Sequence, residues 1–91
     1  MAHPVVFGSA SAGLVKNWEA ATFSDTVDTV TGGIAIALLN GSTAGTVVVV
    51  QWDDSTATIP LVANQLIPGT FKRIKATGST AGMDGDVFLG Y

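Results

Sequence analysis

Four valines in a row, Val47, Val48, Val49 and Val50, constrain this chain more than any other feature. Each branches at Cβ, loses rotamer freedom in a helix, and fits the pleated surface of a strand. The neighbouring stretches agree. Residues 33–39 (GIAIALL) alternate Ile and Ala before ending in Leu38-Leu39, and residues 71–77 (FKRIKAT) mix basic and apolar side chains. Residues 86–91 (DVFLGY) put Val87 and Leu89 on one face and Phe88 on the other. Residues 5–7 and 56–59 are further short strand candidates. Residues 16–21 (KNWEAA) are the best helix candidate, about two turns at most. Turn signals fall between these runs at Asn40-Gly41, Asp53-Asp54-Ser55 and Thr77-Gly78, while Pro60 and Pro68 cannot donate to a ladder and mark strand ends or edges. The pattern predicts an all-β domain: a small antiparallel β-sandwich or barrel, jelly-roll-like, of six to seven or more short strands.

The word GSTAG occurs twice, at residues 41–45 and 78–82. Each copy sits between two strand-like runs, so the expectation is two β-hairpins closed by similar loops. A phosphate-cradling loop would need a helix after the glycines and usually a lysine; strand follows both copies.

A chain of 91 residues buries one modest core. Only 12% of its residues are charged, against roughly 25% in ordinary domains. Its surface is therefore carried by Ser, Thr, Asn and Gly, or faces other protein. The net charge of -3 argues against a nucleic-acid partner. No apolar run approaches the roughly 20 residues of a membrane helix, and the opening MAHPVVFGSASAG has neither the basic region nor the apolar length of a signal peptide. The expectation is a protein made in the cytosol, with no membrane partner.

Candidate chemistry is sparse. Cysteine is absent, which excludes disulfides and thiolate metal sites. The single histidine, His3, lies beside the N-terminus, where nothing orients an imidazole for a triad or a metal site. Asp84-Gly85-Asp86 resembles a fragment of a calcium loop without its further ligands and distal Glu. No nucleophile has a neighbouring base, so neither catalysis nor a cofactor is expected. Three of the four basic residues, Lys72, Arg73 and Lys75, cluster on one run. They suit a solvent-facing edge strand guarded against unwanted pairing, or an interface with an acidic neighbouring subunit. The aromatics are dispersed and read as core or interface anchors; Trp18 or Trp52, if exposed, offers a sugar-stacking face.

Residues 23–91 resemble the small head-spike base and capsid decoration proteins of gene transfer agents and tailed bacteriophages. The stretch Ser24-Asp25-Thr26-Val27-Asp28 is similar to the SDTxD that opens the family's β domain. A strand, a Gly-containing turn, a valine-rich strand and an Asp-centred turn follow. Then comes TIPLVANQLIPGTFKRIKATGSTAG, similar to the family's apolar segment, Ile-Pro, basic strand and ATGS word, and the chain closes on an apolar strand ending in Tyr91. The resemblance implies a virion structural protein assembled in the bacterial cytoplasm: a capsid-surface spike base or decoration subunit, homo-oligomeric as a trimer or pentamer, contacting the major capsid protein and a spike or fibre protein. Residues 1–22 would form an arm binding capsid or a neighbouring subunit, and residues 23–91 the β-sandwich domain. Val5, Phe7, Trp18, Lys72, Arg73, Lys75 and Tyr91 are the candidate interface residues. Two alternatives are a carbohydrate-binding β module that reads host-surface glycan and a tail or connector adaptor of a phage particle.

Overall fold

A computed structural model describes residues 15–29 and 34–91. The expected strand at residues 5–7, with Val5, Phe7 and His3, lies outside the described residues. The fold is all-β. Six strands, β1 (Trp18–Ala20), β2 (Ala35–Asn40), β3 (Gly45–Gln51), β4 (Thr56–Leu61), β5 (Leu66–Lys75) and β6 (Val87–Gly90), form one antiparallel sheet in the order β1-β6-β2-β5-β3-β4. A 3₁₀ turn, Ala81–Met83, precedes β6.

The valine run becomes β3, whose Val47 and Val49 are fully buried. The expected helix at residues 16–21 is instead β1, paired with β6 through Trp18 opposite Gly90 and Ala20 opposite Phe88. A stretch of six residues is too short to repay the cost of nucleating a helix, whereas an adjacent strand satisfies its backbone at once. The sheet thus begins upstream of Phe23, where the β domain was expected to start.

The two GSTAG segments close no hairpins. The first links β2 to β3 and the second lies between β5 and β6, and neither pair is adjacent in the sheet. Among the described residues, only the turn after Gln51 joins sequential neighbours, β3 and β4, into a hairpin. The register shows why. β2 pairs with the first half of β5, Leu39 opposite Leu66, while β3 pairs with its second half, Val48 opposite Lys75. Asn40 continues this register beyond Leu66 and Gly45 continues it beyond Lys75, so a straight β5 would part the two strand ends by more than about 30 Å, and the short connection through residues 41–44 spans at most about 18 Å. β5 must therefore curve, and the sheet coils on itself into a sandwich-like fold.

Two irregularities make that curvature. Two steps along β2, from Ala35 to Ala37, face three along β5, from Phe71 to Pro68; one step along β3, Val50 to Gln51, faces two on β5 across Lys72. Both extra residues sit on β5, where bulges bend the strand and sharpen its twist. The second also resets the alternation of faces. Phe71 and Ile74, three apart, both enter the core, with Leu38, Val47, Met83 and Leu89.

One buried polar residue pins the end of the sheet where β2 finishes. Asn40 is 1% exposed, and its Nδ2 donates to the Thr43 carbonyl at 2.9 Å and the Val62 carbonyl at 2.7 Å. It ties the β2–β3 connection to the β4–β5 turn, whose Asn64 N–H donates to the Gly41 carbonyl.

Candidate functional site

The two copies of GSTAG meet each other, in different roles. In the first, the Asp86 carboxylate accepts from the Ser42 and Thr43 N–H groups at 2.9 and 3.1 Å, and these bonds hold its pKa below the ordinary 3.8. Gly41 is required by close approach, since a Cβ there would collide with the Asp86 carboxylate. In the second copy, Ser79 Oγ and Thr80 Oγ1 accept from the Val48 and Thr46 N–H groups, so the loop continues along β3 where β5 ends. Here the first glycine serves the backbone: Gly78 has φ +90°. GSTAG is two structural solutions with one spelling.

The remaining carboxylates are committed in similar ways. Asp25 accepts from the Thr77 hydroxyl and N–H, and Asp53 from the Ser55 hydroxyl and N–H; in each case the hydroxyl bond is the larger cause of a lowered pKa. Asp84 accepts from the Phe23 N–H while Asp86 faces the first GSTAG loop. The two acids of the calcium-loop fragment therefore serve separate segments. Among the described residues no three His, Cys, Asp or Glu side chains gather as a metal site.

The basic run is not on an edge. β5 lies between β2 and β3, and its cations reach sideways to acids of the same chain. Lys72 pairs with Asp54 at 2.6 Å and stands 5.3 Å from the centre of the Trp52 ring. Arg73 pairs with Asp28 at 2.9 Å and donates from Nε to the Asp25 carbonyl at 3.2 Å. Lys75 is half-buried beside Asp25, whose pKa it helps to lower. The edge-guard reading of these residues is corrected by the position of β5.

Trp18 and Tyr91 do come together, at the β1–β6 margin. The Trp18 indole lies over Gly90, where a Cβ would sit 2.8 Å from the ring, and remains 40% exposed. The Tyr91 hydroxyl donates to Glu19 at 3.2 Å, which raises its pKa. Beside this margin, an open groove of about 460 Å³ runs between β1 and residues 22–29, with Glu19, Phe23, Val27 and Asp28 among its walls. Trp18 and Tyr91 were candidates one by one, but their meeting was hidden, because residues 16–21 read as a helix and the pairing of β1 with β6 is a property of the fold. The groove was hidden too, because its walls depend on how residues 22–29 lie across the sheet.

The opposite margin is β4, which the sequence marked only as a candidate strand. Thr56, Thr58 and Pro60 are exposed; Ala57 and Ile59 are half-buried against the core. Residues 55–71, which contain this strand, include no charged side chain. Among the described residues no helix is long and apolar enough to cross a membrane. No family model matches the chain, and the curated proteins and solved structures likewise contain no match to it.

Proposed function

We propose that this chain acts by assembly rather than by chemistry, as a capsid-surface spike base or decoration subunit of a phage-like particle. The observation that carries the reading is the margin at β1 and β6. There Trp18 and Tyr91 present half-exposed aromatic surface on a chain with few charges. Large amphipathic rings of this kind are enriched where protein meets protein. The sequence resemblance over residues 23–91 supplies the particle context, with the major capsid protein on one side and a spike or fibre on the other. In this reading the subunit is homo-oligomeric, needs no cofactor and has no catalytic role. Quantitative mass spectrometry of particles purified from the source organism tests it. Tens to hundreds of copies, in fixed ratio to the major capsid protein, are the expected result. A handful of copies indicates a tail or connector adaptor instead, and absence removes the virion reading.

Trp52 favours a second reading. It is 41% exposed at the tip of the β3–β4 hairpin, with the Lys72–Asp54 pair beside it. An aromatic face flanked by charged hydrogen-bonding groups suits a saccharide. Quenching of tryptophan fluorescence by host-surface glycans, lost in Trp52→Ala, is the outcome that favours it over the first.

A further inference from the structure

The β3–β4 register fixes which backbone groups β4 turns outward. The Gln51 N–H donates to the Ser55 carbonyl at 2.8 Å, towards β4, whereas the Val48 and Thr46 N–H groups point the other way, to Ser79 Oγ and Thr80 Oγ1. In an antiparallel ladder these directions alternate. Val49–Ala57, Val47–Ile59 and Gly45–Leu61 are therefore bonded to β3, while Thr56, Thr58 and Pro60 aim their backbone away from it. Pro60 falls on the outward set, where its missing N–H costs the sheet nothing. Among the described residues, nothing pairs with this margin.

An edge strand in a protein that stays monomeric is usually guarded by charge, chiefly lysine. This one has none: residues 55–71 are uncharged. The outward side chains are Thr56, Thr58 and Pro60, and the inward Ala57 and Ile59 remain only half-buried, short of neighbours on the open side. The outward backbone pattern is also self-complementary. Two antiparallel copies of β4 related by a two-fold axis through Thr58 bring Thr58 opposite Thr58 and Thr56 opposite Pro60. Each Thr58 N–H then meets the other's carbonyl, and each Thr56 N–H meets a Pro60 carbonyl. The proline, lacking a donor, faces a threonine carbonyl that stays open to water. On the core side, Ala57 and Ile59 of one copy lie opposite Ile59 and Ala57 of the other, extending the apolar layer across the axis.

We infer that β4 pairs with β4 of a second copy, joining two sheets into one continuous twelve-stranded sheet centred on Thr58. The closed two-fold geometry makes this a dimer contact, and it does not depend on the virion reading. The net charge of -3 on each copy opposes any association, but no charge lies on this strand.

The absence of cysteine makes the test clean, because any introduced thiol is unique. Opposed Cα atoms in a bonded pair stand about 5.5 Å apart, within disulfide reach. In Thr56→Cys the two thiols are displaced from the axis by two residues each way, roughly 13 Å apart. The full chain is expected to sediment as a dimer at tens of micromolar. Thr58→Cys should crosslink almost completely under mild oxidation and Thr56→Cys at least tenfold less. Thr58→Lys should shift the protein to monomer with its melting temperature under dilute conditions unchanged. Ala20→Lys, on the other margin, should leave the dimer intact. A monomeric wild type, equal crosslinking at both positions, or a dimer broken by Ala20→Lys and kept by Thr58→Lys overturns the inference.

Discussion

At the residue scale, two side chains among the described residues stand in the left-handed region that glycine favours, Asp54 at φ 68° and Asn64 at φ 62°. Asparagine tolerates that conformation well, and aspartate less so. Asp54 closes the β3–β4 turn, its N–H donating to the Gln51 carbonyl, and the strain is retained beside its pair with Lys72. The Asp54 carboxyl is largely exposed, so that pair contributes little. Asp54→Gly is therefore expected to raise stability by about 0.5–1 kcal/mol, read as a higher urea midpoint at an unchanged slope. A lower midpoint would mean that the ion pair outweighs the strain. Asn40 points the other way. Replacing it by leucine takes away the donor that the Thr43 and Val62 carbonyls share, and should cost about 1–2 kcal/mol. Gly41→Ala forces its new methyl against both the side chain and the carbonyl oxygen of Asp86, and a loss of about 1–3 kcal/mol is expected from thermal melts.

At the scale of the element, β5 decides the architecture, and what matters at Lys72 is that a residue is there. Lys72→Ala removes an ion pair and a ring contact and should cost less than about 1 kcal/mol. Deleting Lys72 moves either Phe71 or Ile74 out of the core and should abolish the cooperative unfolding transition in circular dichroism. The sequence shows β5 as a strand but hides its bulges, because a bulge is defined by the partner strand. Read alone, FKRIKAT mixes basic and apolar residues and looks like a half-exposed edge strand. Placed between β2 and β3, it is central and carries two basic residues outward to Asp54 and Asp28. The same reason explains the GSTAG words. A short Gly-rich link between two strands is spelled alike whether it closes a hairpin or steps over an intervening strand. The valine run and the Asp53-Asp54-Ser55 turn needed no partner to be read, since Cβ branching and side-chain-to-backbone bonding act locally.

For the whole molecule, acid is the informative stress. Asp25, Asp53 and Asp86 all have pKa values lowered by hydrogen bonds present only in the fold. A carboxylate whose folded pKa is depressed stabilises the fold fully above its unfolded value, and that contribution disappears as pH falls through the folded value. The melting temperature should hold steady from neutrality to about pH 5 and fall below about pH 4. Asp86→Asn should flatten that fall, the difference between the two proteins narrowing as pH drops. The curvature of β5 has a further consequence, for synthesis. Residues 35–40 leave the ribosome long before either of their sheet neighbours, which lie at residues 66–75 and 87–90. Until the fifth strand emerges, the hairpin of the third and fourth is the one pair that can close. The nascent chain must wait with its second strand bare, and the folding of this sheet becomes a late event, held until residues 66–90 have emerged.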